Sequence, residues 1–235
     1  MFGRYGADFS YSDKNITISV ERTGTPPRYV RACRDERIEK ILPTGEGSVI
    51  INPVEPVNLP LPITRLLEIA FPATVLLPKS ERRVFLTFPV EIGVFLEAGG
   101  DLHVLDIFSC TPAKYSLYGL PGTGQITRWH RSEVYEKAPV TDRFFLGVLD
   151  LTLKNTSAET IEVSRTVLDS NSMHLSYGEY VSMKAVMEVY SPMIARTSVD
   201  EVPSVSGMTP CIELYIARRI PAVHGRGHLM ESGVA

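Results

Sequence analysis

From Val84 to Leu96 every second residue is apolar: Val84, Leu86, Phe88, Val90, Ile92, Val94 and Leu96. Side chains alternate across an extended backbone, so this line occupies one face of a strand. Its length and regularity predict a core strand, or two strands bent at Pro89 and Gly93. Glu91 falls on the face opposite the apolar line. Shorter stretches repeat the pattern. Ile16, Ile18 and Val20 predict a half-buried strand, and Tyr29–Cys33 returns after a turn at Gly24–Pro27. Leu102–Phe108 reads as a strand with His103 and Asp106 on opposite faces. Phe145–Leu153 and Thr160–Val167 flank Asn155–Ala158, a composition suited to a hairpin turn. Val181, Met183, Ala185, Met187 and Val189 form another stripe, in which methionines at period two mark core. Ile212–Ile216 is the last strand expected.

Three segments are less direct. Arg31–Lys40 carries both charges and fits either a short exposed helix or a charged edge strand. Ile63, Leu66, Leu67 and Ala70 match helical spacing, but the segment is short and Pro72 closes it, which favours a strand. Prolines 53, 56, 60 and 62 argue against a central strand, because proline has no N–H for the ladder. Residues 52–62 therefore predict an extended connector along a sheet edge. Many short strands, frequent turns and almost no helical period indicate an all-β protein. It is read as an antiparallel β-sandwich, or two sandwich-like lobes, with little helix. The expected organisation is N-terminal strands and a charged segment (1–52), a sandwich core with a central hairpin (53–135), a second β-rich half (136–220), and a disordered tail (221–235).

The stretch Lys114–Tyr135 concentrates the candidate chemistry, including the sole tryptophan, Trp129. Its Gly119–Gly124 run matches the start of a phosphate-binding loop, but Gln125 and Ile126 replace the required lysine and hydroxyl. A turn is the better reading. Pro121 pre-sets φ at the second position, and Gly122 accepts the positive φ of the third. With that tip, Lys114 lies across from Trp129 and Tyr115 across from Arg128; a longer loop that includes Gly119 and Gly124 is equally compatible. Arg128, His130 and Ser132 then share one face, able to bind an anion or assist proton transfer.

A net charge of −3 over 235 residues gives no reason to expect nucleic acid. The three cysteines, Cys33, Cys110 and Cys211, are widely spaced, which suggests reduced thiols rather than disulfides or a zinc site. With no signal-like or membrane-spanning run, a soluble cytoplasmic protein is the expectation. No cofactor and no metal site are expected.

Several longer words resemble a known family. NPVEPVNLP at 52–60, FPVEIGVF at 88–95, LDIFS at 105–109, KYSLYG at 114–119 and SEVY at 132–135 are similar to an archaeal family defined as domain of unknown function 432. LTLKNTS at 151–157 and the Ile161–Asp169 stretch extend the likeness, which runs from about Asn15 to Arg218. The resemblance implies an archaeal, cytosolic protein and assigns no catalytic residue. Two functional readings follow from the residues. The first is a non-enzymatic module that binds a protein or a small polar ligand through Lys114, Tyr115, Tyr118, Arg128 and Trp129, with edge-to-edge homo-oligomers an expectation of the class. The second is a hydrolase-type enzyme with His130, Asp106 and Glu91 in a pocket, with or without a divalent metal. Convergence of these side chains in one concave site discriminates the two.

Overall fold

The computed structural model describes residues 1–6, 8–21, 26–42, 47–57, 63–214 and 227–234. Over these residues the chain is nearly all β, arranged in four sheets. An N-terminal meander runs through Phe9–Ser12, Ile16–Glu21, Arg28–Cys33 and Glu36–Ile41, each strand antiparallel to the next. The charged segment is thus an edge strand, entered through a turn in which Arg34 has φ 56°. A middle sheet has the order Gly3–Tyr5, Ser48–Val54, Glu91–Ala98, Asp101–Phe108. The hairpin sheet has the order Tyr115–Tyr118, Gln125–Arg131, Leu66–Leu76, Ile161–Asp169. The large sheet is built on Glu81–Pro89, Leu146–Asn155 and Val181–Ser191, with short strands at its far side.

The long alternating run resolves into two strands, Glu81–Pro89 and Glu91–Ala98, which belong to different sheets. The first pairs with Leu146–Asn155 in the large sheet, the second with Ser48–Val54 and Asp101–Phe108 in the middle sheet. Pro89 ends the large-sheet strand, as a residue without an N–H should. Close packing follows at this corner. A Cβ on Gly147 would come within 2.4 Å of the Phe88 ring, so only glycine fits there.

The expected hairpin around Asn155–Ala158 does not form. Leu146–Asn155 and Ile161–Asp169 lie in different sheets, as do Leu66–Leu76 and Glu81–Pro89. Each pair is an arch that crosses between layers, and the two arches are zipped together. Leu66–Leu76 pairs with Ile161–Asp169, and Glu81–Pro89 with Leu146–Asn155. Asn155 explains the difference: its Nδ2 donates to the carbonyls of Leu76, Leu77 and Glu159, so the turn-forming amide holds two arches rather than one hairpin. These pairings join residues on either side of 135/136, and one apolar cluster holds residues from all four sheets.

Two further differences concern proline and the chain end. Ser48–Val54 includes Pro53, which pairs with Ile92 in the middle sheet. Among the described residues the Gly3–Tyr5 strand covers only Val49–Ile51, so no described strand on that side of Pro53 asks for an N–H. Residues 212–213 carry no strand. Within the expected disordered tail, His228–Met230 pairs with Ile194–Val199, and Met230 and Val234 are buried. Two apolar residues in a glycine-spaced segment were enough to dock it. The turn residues 22–25, the connector at 58–62, residues 215–226 and Ala235 lie outside the described residues.

Candidate functional site

The hairpin carries the register read from its turn. Tyr115 pairs with Arg128 and Tyr118 with Gln125, while the Trp129 N–H donates to the Lys114 carbonyl at 2.8 Å. At the tip, Thr123 N–H reaches the Leu120 carbonyl at 3.2 Å and Gly122 has φ 94°, as the Pro-Gly turn demands. Gly119, at φ 107°, and Gly124 belong to the same loop. Gln125–Arg131 then runs parallel to Leu66–Leu76, which inserts the hairpin as the outer half of a four-stranded sheet.

Beside this hairpin is a cleft of about 300 Å³. Its walls come from Pro89 at the corner between sheets, from Thr111, Pro112 and Lys114 on the approach to the hairpin, and from Arg128–Arg131. Arg128 forms the floor. Its Nη1 lies 3.3 Å from Glu91 Oε1, and both side chains are essentially fully buried. The strand pattern had put Glu91 on a separate face, and that face is interior as well. Lys114 places its ammonium 6.0 Å from the Trp129 ring centroid, within cation–π range. Among the described residues, neither Lys114 nor Arg131 forms an ion pair.

His130 reaches across the layer to the large sheet, with Nε2 3.0 Å from Thr87 Oγ1. Burial pushes its pKa down to about 4, and the Arg128 and Lys114 charges add to the effect. The imidazole is therefore neutral near pH 7. Thr87 and Ser132 were not singled out as a cluster, yet Ser132 Oγ accepts from the Thr87 N–H at 2.7 Å. Their only sequence signal was the shared face of His130 and Ser132.

Asp106 does not join this group. It sits at the seam between the middle sheet and the meander, where Arg31 Nε (2.7 Å) and the Tyr29 hydroxyl (2.9 Å) both donate to Oδ2. Lys40 Nζ is 3.7 Å from its other oxygen. Burial, then the Asp106 charge, pushes the Tyr29 hydroxyl well above the usual phenol range. Tyr118 also leaves the proposed face. It is buried, donating to the Gly233 carbonyl and accepting from Ser232 N–H, each at 3.2 Å. Tyr115 remains partly exposed beside Arg128. A second polar knot went unread in the sequence: Glu68 Oε2 accepts from Ser116 (2.6 Å) and Thr127 (2.8 Å) beneath the hairpin. No three His, Cys, Asp or Glu side chains among the described residues come together in a way that could hold a metal. No helix among them is long and apolar enough to cross a membrane.

Of the sequence candidates, the cleft thus unites Lys114, Arg128, Trp129 and His130, with Glu91 behind Arg128, and leaves Tyr115, Asp106 and Tyr118 outside its lining. A family profile described as "Protein of unknown function (DUF432)" matches residues 1–231. The match takes in the chain beyond Ile220, which the word-level likeness had left out. No curated protein and no solved structure matches this chain.

Proposed function

Starting from a chain that belongs to the DUF432 family, we propose that it is a binding module whose cleft beside Trp129 takes a small ligand bearing an anionic group, a phosphate or a carboxylate. One observation carries this reading. Every charged side chain in the described cleft wall is cationic: Lys114 and Arg131, which form no ion pair among the described residues, and Arg128, whose charge is balanced by Glu91 behind it; the adjoining His130 is neutral. Charge-assisted hydrogen bonds from such groups are about twice as strong as neutral ones. The cleft volume falls at the small end of ordinary ligand sites. A triad-type hydrolytic role needs a carboxylate to orient His130, whereas its described partner is the buried Thr87 hydroxyl and Asp106 is closed elsewhere. Binding without chemistry is therefore the better-supported role. An archaeal, cytoplasmic setting belongs to the same reading.

The sole tryptophan supplies the test, because any change in its emission originates at the cleft. Titration with inorganic phosphate and with citrate should give a saturable fluorescence change. Lys114→Ala should weaken it by about tenfold, the effect of losing one charged contact of ~1.4 kcal/mol. A response that never saturates, and is the same in both proteins, would remove the proposal.

A further inference from the structure

The cysteines, far apart in sequence, do not stay apart. Cys33 ends the third strand of the meander, and Cys110 follows the last strand of the middle sheet. The two sheets meet at the Asp106 seam, and the same contact brings Cys33 Sγ to 3.1 Å from Cys110 Sγ, both reduced and both buried. Beside them is a second cavity, of about 310 Å³, lined by Cys33, Arg34, Asp35, Glu36 and Ser109. Cys33 is thus the member of the pair that forms part of a cavity wall.

From this juxtaposition we propose that Cys33 and Cys110 are a redox-modification site, a dithiol that a hydroperoxide converts to a disulfide tying the meander to the middle sheet. The two sulfurs take different roles. The hydrogen bond with Cys110 lowers the Cys33 pKa against the opposing effect of burial, and Arg31 and Arg34 lower it further. The Cys110 thiol is pushed up, first by that same hydrogen bond and then by burial. Cys33 is accordingly the attacking thiolate, and it is also the one that lines the cavity. Its sulfur takes one oxygen from hydrogen peroxide as the O–O bond breaks, leaving a sulfenic acid and hydroxide. Cys110 sulfur then attacks Cys33 sulfur, the S–O bond breaks, and water departs with the Cys110 proton. The balance is two thiols and one peroxide giving one disulfide and two waters. Cys211 belongs to neither step. It lies in another part of the chain, and burial pushes its thiol well up.

The test uses the full chain. Reduced protein, unfolded and treated with N-ethylmaleimide, takes three adducts, one for each cysteine. After brief exposure to hydrogen peroxide it should take one, at Cys211, with a mass lower by two hydrogens and a proteolytic peptide linking Cys33 to Cys110. In Cys110→Ser, dimedone should trap the sulfenic acid at Cys33, whereas Cys33→Ser should leave Cys110 unoxidised. Oxidised wild type should also unfold at a higher denaturant concentration than reduced wild type, because a cross-link across this span restricts the unfolded chain. The proposal fails if three thiols remain alkylatable after peroxide. It fails equally if Cys33 proceeds to sulfinic acid without a link, or if the link involves Cys211. The alkylation count on wild type decides the matter even if a serine variant does not fold.

Discussion

Two of the places where a buried carboxylate meets an arginine end differently. At the seam between the meander and the middle sheet, Asp106 is closed by Arg31, Tyr29 and Lys40, all supplied by the meander. Arg31 is itself covered, with its guanidinium 4.7 Å from the Phe108 ring centroid and Glu36 on its far side. At the cleft, Glu91 and Arg128 form an interior pair, but the other two cations of the wall, Lys114 and Arg131, meet no acid among the described residues. The same residue types therefore serve as structure where the chain brings the complementary charge, and as a candidate site where that charge is left to come from outside. A buried charge without its complement is costly, whereas a half-exposed cation facing a cleft is not.

The comparison can be broken most severely at the seam. Asp106→Ala leaves Arg31 buried without its main partner and should cost about 3–5 kcal/mol of stability. Urea unfolding measures the loss, and the phosphate response of Trp129 should be unchanged in the folded fraction. If the cleft response vanishes as well, the two regions are not separable. A smaller effect is expected from His130, whose folded pKa of about 4 lies below its ordinary value near 6.5. Between these values the unfolded chain binds a proton that the folded chain does not. Stability is thus fully present above pH 6.5 and is lost as pH falls toward 4, by up to about 3 kcal/mol, and the loss is constant below that. His130→Gln should flatten this part of the profile. A bound anion should shift the His130 titration upward in NMR spectra by offsetting Arg128 and Lys114. A flat wild-type profile, or a mutant profile that overlays it, would contradict the burial argument.

Smallest of all should be the stability change in Lys114→Ala, within about 1 kcal/mol, because among the described residues the exposed side chain loses only its cation–π contact with Trp129 and no ion pair. Its effect should fall on ligand binding instead. A destabilisation comparable to that of Asp106→Ala would make Lys114 part of the structure and erase the contrast on which the proposed function rests.

Much of this was readable before any coordinates. The alternation at Val84–Leu96, the break available at Pro89, and the Pro121-Gly122 turn with Tyr115 opposite Arg128 all follow from rules that act over a few residues. Side-chain period and turn dihedrals belong to the local backbone, so the sequence alone determines them, together with the all-β class. Local rules also misled, most clearly at Asn155 and in the tail. The Asn155 turn composition suggested a hairpin, but the asparagine amide was committed to carbonyls 78–79 residues away. The tail's glycines suggested disorder, but Met230 and Val234 found a place in the core.

The partners of the functional groups could not be read locally. Glu91 meets Arg128 across 37 residues, Thr87 meets His130 across 43, Arg31 meets Asp106 across 75, and Cys33 meets Cys110 across 77. In a strand protein the order of strands in a sheet, and of sheets in a layer, is settled by how apolar faces close over one another. A change of neighbour re-pairs every polar side chain on the strand. The sequence therefore determined most of the long strands and the alternation of their faces. Only the tertiary structure decided which charges are closed, which two thiols touch, and which cations are left to line a cleft.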